Sequence, residues 1–157
     1  MSITDINALC DFVESTMIND YRSDFPVKNE NIKSIISKEI PRYDISTYIK
    51  GIFSSNLIQY CHVNGVVLYT INILNHIRKT GLYLNNLTVH RIVLICLMLS
   101  SKMHEDINYL NIDWSLISGV TIKNINLMEK FIMELLNNDL HIIMTDRKIL
   151  SIIKCIY

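Results

Sequence analysis

Glycine and proline are scarce in this chain, four and two among 157 residues. Few positions are therefore suited to breaking a helix, and neither a low-complexity linker nor an internal repeat is visible. Charge of one sign is also missing: fifteen basic and fifteen acidic side chains cancel, with no long basic run. Nucleic-acid binding driven by net charge is excluded on that ground. The four cysteines (Cys10, Cys61, Cys96, Cys155) are far apart and form no CxxC pair. They are expected to be reduced and mostly buried rather than to form a disulfide scaffold. No positive segment followed by an apolar stretch stands at the N-terminus, so no signal peptide is recognised. An intracellular protein, of the nucleus or the cytoplasm, is expected. No Gly-rich phosphate loop and no nucleophile–base constellation appears. Neither an enzyme nor a cofactor is therefore predicted.

What is present is apolar material at helical spacing, half of all residues being hydrophobic. At this length that suffices for one domain with a real core. The densest stretch runs from Leu87 to Asp106. Its centre, Ile92 to Leu99, is eight consecutive apolar residues. A helix built from it is apolar on every side and belongs in the middle of a bundle. The run is well short of the roughly 20 residues that cross a bilayer, so no membrane partner is predicted. Thr88 is the expected N-cap. One stripe of this helix then holds Arg91, Ile95, Met98 and Lys102, so a cation emerges at its end.

The remaining segments read as helices around that centre. Ser2 with Asp5 suggests a capping box before a first amphipathic helix through Ile6, Leu9, Val13 and Met17. A short helix is expected around Asn29 to Lys38, burying Ile32, Ile35 and Ile36 and ended by Pro41. Ser46 is expected to cap a helix over Thr47 to Asn56. Another helix is predicted from Val63 to Lys79, stopped near Gly81. Asn111 to Ser118 is a short helix closed by Gly119. Thr121 opens a helix to about Asn137, and Thr145 opens a last one. The fold class predicted is all-α: five helices as a unit, with flanking helices at both ends.

One residue breaks the pattern. At about 100° per residue, Phe131, Leu135, Met128, Ile132, Ile125 and Leu136 fill one arc of the helix from Thr121. Glu129 falls at the end of that arc, between Leu136 and Ile122 and so inside the apolar face, whereas Lys123, Lys130 and Glu134 take the wet side. An unpaired carboxylate in apolar surroundings costs several kcal/mol or shifts its pKa. Glu129 must find a donor, which is a lysine of a neighbouring helix, N–H groups of a partner, or water at the core's edge. Lys102 is the obvious lysine.

These residues carry a family resemblance. Leu87-Thr88-Val89-His90-Arg91, Ser100-Ser101-Lys102-Met103 and the pair Glu105-Asp106 resemble the third helix of a cyclin box. Tyr109, Asn111, Trp114, Gly119-Val120-Thr121, Asn126 and Met128-Glu129 resemble the fourth and fifth helices of P/U-type (phosphate-signalling, Pho-like) cyclins. Upstream, Ile45, Tyr48-Ile49 and Ile52 are similar to the start of the first helix, and Tyr69 to the second. The resemblance implies an N-terminal helical extension over 1–42, a single cyclin box over 43–143, and a C-terminal helix over 144–157. It also implies a regulatory subunit that binds and activates a cyclin-dependent protein kinase. In that family the lysine ending the third helix and the glutamate of the fifth hold the kinase backbone near its C-helix, which points to Lys102 and Glu129. Leu99, Met103 and Met133 flank them and supply apolar contact, or else pack in the core.

Two departures stand out. The family has arginine where Gly51 stands, and an Asp-Arg pair where Ile71-Asn72 stand. The substrate-docking motif of the A- and B-type cyclins is not recognisable. A helical adaptor for a non-kinase partner is the alternative reading. His62, His76, His90 and His104 recur every 14 residues. No two of them are spaced i, i+4 on one helix, so no metal is predicted. His90 is expected to bond a neighbouring loop, and Trp114 to anchor the core.

Overall fold

A computed structural model describes residues 3–19, 31–59, 62–105 and 109–136. Among them are six α-helices: α1 (Ile3–Asn19), α2 (Ile45–Ser54), α3 (Val63–Lys79), α4 (Val89–His104), α5 (Asn111–Ser118) and α6 (Ile122–Leu135). A single 3₁₀ turn, Ile32–Ile35, is the other regular element, and the described residues hold no strand. None of these helices is long and apolar enough to cross a membrane.

The core is organised around α4, as its composition dictates. Every residue from Ile92 to Ser101 is buried. Helix α3, which buries Val66, Val67, Ile73, Leu74 and Ile77, packs along α4, and α2 and α6 also pack against α4. The Thr70 hydroxyl donates to the Val66 carbonyl at 2.7 Å and lies 3.0 Å from the Ser100 hydroxyl, whose proton it can accept inside the α3–α4 contact. A buried polar group without such a partner would cost stability. Trp114 of α5 is fully buried, and α1 lies across α2 and α3.

Helix ends follow local chemistry, with three differences from expectation. Helix α2 starts at Ile45, and Asp44 rather than Ser46 caps it, its Oδ1 accepting the Thr47 N–H at 2.8 Å. The Ser46 hydroxyl is occupied by Glu14 of α1. At the start of α4, Thr88 holds the N-cap position but its hydroxyl makes no capping bond. It accepts the Asn85 N–H and donates to the Tyr83 carbonyl, both at 3.0 Å, and so braces the turn before the helix. The helix expected over Asn29 to Lys38 shortens to the Ile32–Ile35 turn. Its backbone groups bond elsewhere: Ser37 N–H donates to the Leu87 carbonyl at 2.7 Å, and Arg91 donates to the Ser34 carbonyl at 2.8 Å. Of this segment's three isoleucines, Ile35 is buried and Ile32 and Ile36 are partly so.

Helices α3 and α5 have the predicted bounds, and Gly119 closes α5 in the left-handed conformation at φ 75°. Thr121 caps α6, accepting the Asn124 N–H at 3.3 Å. The Ser2 capping residue and the helix expected from Thr145 lie outside the described residues.

Candidate functional site

The last turn of α4, the first residue of α5 and the middle of α6 meet at one edge of the bundle. Lys102 ends the α4 stripe, and Glu129 projects from the otherwise apolar side of α6. Their charged groups form an ion pair, Nζ to Oε2, at 2.6 Å. The two side chains are 28% and 27% exposed, so the pair is neither sealed in the core nor free on the surface. This geometry identifies the donor that the Glu129 anomaly required.

A third residue completes the arrangement. Asn111 Oδ1 accepts a second N–H of Lys102. Asn111 Nδ2 donates to Glu129 Oε1 at 3.2 Å and to Asn126 Oδ1 at 2.9 Å. The capacity of each group can be counted. An ammonium has three N–H donors, and Lys102 uses two. A carboxylate offers about four lone-pair sites, and the protein fills two of those on Glu129. Among the described residues, one donor of Lys102 and two acceptor sites of Glu129 are left over on a partly exposed pair, the complement of a main-chain carbonyl and N–H.

Sequence reasoning singled out Lys102 and Glu129, which the fold brings together, but not Asn111 as a site member. An asparagine at the first position of a short helix is ordinary, and nothing in its spacing marks a tertiary contact. Of the three apolar candidates, Met103 is 42% exposed beside Lys102, and Met133 is partly buried against the core. Leu99 is only 3% exposed. It belongs to the core and backs the site rather than lining its surface.

The remaining anomalies have structural partners. His90 Nε2 lies 2.7 Å from the Tyr43 carbonyl, the predicted loop contact. Its ring meets Tyr48 edge-on at 5.1 Å. Burial lowers the His90 pKa, against the opposing pull of the Tyr43 carbonyl and Asp44. Tyr48 donates to the Ser118 carbonyl at 3.1 Å, and burial pushes its pKa up to about 12. His62 and His104 do meet, although they lie far apart in sequence, with ring centroids 5.0 Å apart and edge-on. Among the described residues no three His, Cys, Asp or Glu side chains are grouped to hold a metal. Of the positions where charges depart from the family pattern, Gly51 faces open space and Asn72 is buried. Beside Gly51 an open groove of about 470 Å³ runs between α2 and α5, lined by Tyr48, Ile52, Leu116 and Ile117 among others.

Comparison with known proteins gives these features a context. A family model described as Cyclin matches residues 3–140. PHO85 cyclin-1 of Saccharomyces cerevisiae is 37% identical over 99 residues, covering 57% of this chain and 34% of that protein. Cyclin-U3-1 of Arabidopsis thaliana is 31% identical over 96 residues, covering 61% of this chain and 41% of that protein. The chain thus spans well under half the length of these curated relatives.

Proposed function

The chain belongs to the cyclin family, and from that premise we propose that it is the regulatory subunit of a cyclin-dependent protein kinase. The observation that carries this reading is the Lys102–Glu129 pair: opposite charges 2.6 Å apart, about a quarter exposed, with hydrogen-bonding capacity left over. In the proposed complex the third N–H of Lys102 donates to a main-chain carbonyl of the kinase, and Glu129 accepts main-chain N–H groups. Each such charge-assisted bond contributes ~1.5–3 kcal/mol. Two of them read backbone rather than side chains, so they fix the position of a helix or loop. Met103 adds apolar contact at the rim.

Activation then follows as a population shift. The chain binds the kinase conformer whose C-helix and activation loop are correctly placed, and it binds the alternative conformer less well. The equilibrium moves by that difference in affinity. The cyclin itself contributes no reacting group. The phosphate-signalling branch is the proposed setting, by analogy with the PHO85 cyclin.

Affinity purification of the wild-type chain from its native cell is expected to recover a protein kinase. Lys102→Ala and Glu129→Ala are each expected to abolish that recovery while helix content is retained. Equal recovery with both variants would overturn the site. One observation favours an adaptor role instead: the outward side of α5 carries exposed Leu110, Ile112, Leu116 and Ile117. Recovery of a non-kinase protein alone, lost on Leu116→Asp, would support that reading.

A further inference from the structure

Among the described residues, Asn111 is the one group that bonds both members of the charged pair, and its own bonding groups are all used. Its amide has one acceptor oxygen and two N–H donors. The oxygen accepts from Lys102, and the donors go to Glu129 Oε1 at 3.2 Å and Asn126 Oδ1 at 2.9 Å. Rotating the amide by half a turn would set its NH₂ against the Lys102 ammonium and its oxygen against two acceptors. Lys102, which can only donate, and Glu129, which can only accept, therefore fix the orientation of the Asn111 amide, which in turn holds the two side chains together and orients Asn126. A lysine is long, flexible and rich in rotamers, and ordering it at an interface costs affinity. In this protein that ordering is already done before any partner arrives.

We propose that Asn111 is the positioning residue of the partner site, holding Lys102 and Glu129 in the docking geometry without contacting the kinase itself. This rests on the kinase-subunit reading above. The contact also explains why an eight-residue helix with exposed apolar residues is held at this edge. Its N-terminus delivers the Asn111 amide between α4 and α6. The alternative, that Asn111 competes with the partner, does not fit the counting. Counted over the described residues, one Lys102 donor and two Glu129 acceptor sites stay open with all the Asn111 bonds intact.

Two substitutions separate the roles. Asn111→Ala removes the clamp and leaves Lys102 and Glu129 to pair unsupported. Asn111→Asp keeps the oxygen facing Lys102 but turns both donors into an anionic oxygen facing Glu129 and Asn126.

The first test reads the free protein. NMR order parameters at Lys102 Cε are expected to fall in Asn111→Ala, with the melting temperature and helical circular dichroism close to wild type. The second uses the kinase recovered with the wild-type chain, as the purified subunit. Affinity is expected to fall about tenfold for Asn111→Ala, the scale of one charge-assisted hydrogen bond, and further for Asn111→Asp. A double-mutant cycle with Glu129→Gln is expected to show coupling, the Asn111→Ala loss shrinking once Glu129 is altered. Unchanged Lys102 order, unchanged affinity, or strictly additive losses would each overturn the positioning role. If Lys102→Ala and Glu129→Ala lose the kinase while Asn111→Ala does not, only this inference fails. If neither charged residue matters, or no kinase is recovered, the kinase reading fails and this inference with it.

Discussion

The Glu105 carboxylate accepts the backbone N–H of Gln59 at 2.6 Å, and so ties the end of α4 to the connection between α2 and α3. Glu105 is only 5% exposed, and its same oxygen lies 3.8 Å from His62 Nδ1. The acidic residue after Met103-His104 is therefore a structural brace. Removing it strands a backbone donor, which costs ~1–3 kcal/mol. Glu105→Ala is expected to lower stability by about 2 kcal/mol, or roughly 4–8 °C in melting temperature. Glu105→Gln, which keeps an acceptor, is expected to lose less than half of that. Thermal unfolding followed by circular dichroism checks both.

A second prediction concerns Gly65, on α3. A Cβ placed there would stand 2.5 Å from the His104 ring. That ring cannot simply swing aside, since it is packed edge-on against His62 at 5.0 Å and Tyr69 at 5.2 Å. Gly65 lies in the first turn of α3, where replacing glycine by alanine ordinarily gains at most about 1 kcal/mol. Here Gly65→Ala is expected to destabilise by ~1–2 kcal/mol, overpacking outweighing propensity. Gly65→Ala combined with His104→Ala is expected to recover the loss relative to His104→Ala alone. Chemical denaturation of the four chains measures it.

Acid sensitivity follows from His90. Its Nε2 faces the Tyr43 carbonyl, which requires a proton there, and its buried Nδ1 has no hydrogen-bond partner among the described residues. Adding the second proton would bury an unsatisfied cationic donor. Burial accordingly lowers the folded pKa below the ordinary value of 6.5. A histidine shifted downward contributes its stability in full above the unfolded pKa. That contribution is lost as pH falls from about 6.5 through the depressed folded value. The melting temperature of the wild-type chain is expected to drop more steeply between about pH 7 and 5 than that of His90→Gln. Parallel curves would refute the assignment.

Thiol chemistry offers a fourth measurement. Cys96 is fully buried in α4 and Cys10 nearly so in α1, and burial raises the pKa of both. The thiolate is the reactive form. Neither residue is expected to react with a thiol reagent in the native protein, and labelling at both is expected to appear together across the denaturation midpoint. Mass-spectrometric mapping of labelled peptides distinguishes them from the other cysteines.

How much of this was legible beforehand varies with the range of the interaction. The bounds of α3 and α5 were readable because apolar spacing and a left-handed glycine are properties of a few adjacent residues. The cap of α2 was misassigned because Ser46 and Asp44 are both acceptable caps, and only the position of Glu14 on α1 decides between them. The 3₁₀ turn was overextended for the same reason: Leu87 and Arg91 take its backbone groups from far along the chain. Glu129 was conspicuous from its own helix, so its need for a donor was readable, and Lys102 was the natural candidate. Asn111 carried no such signal, since an amide is comfortable in water or in a network.

The order of the helices, the burial of the one that is apolar all round, and the presence of a misplaced carboxylate were determined by sequence alone. Each depends on residues within a turn or two of one another, where backbone geometry is already known. The three-residue network, the His62–His104 contact, the Glu105 brace and the removal of Leu99 from the surface were decided by tertiary structure. Those depend on how α3, α4, α5 and α6 are set against one another. Hydrogen bonds are lost within a fraction of an ångström, and no periodicity in a single strand of text specifies a crossing that closely.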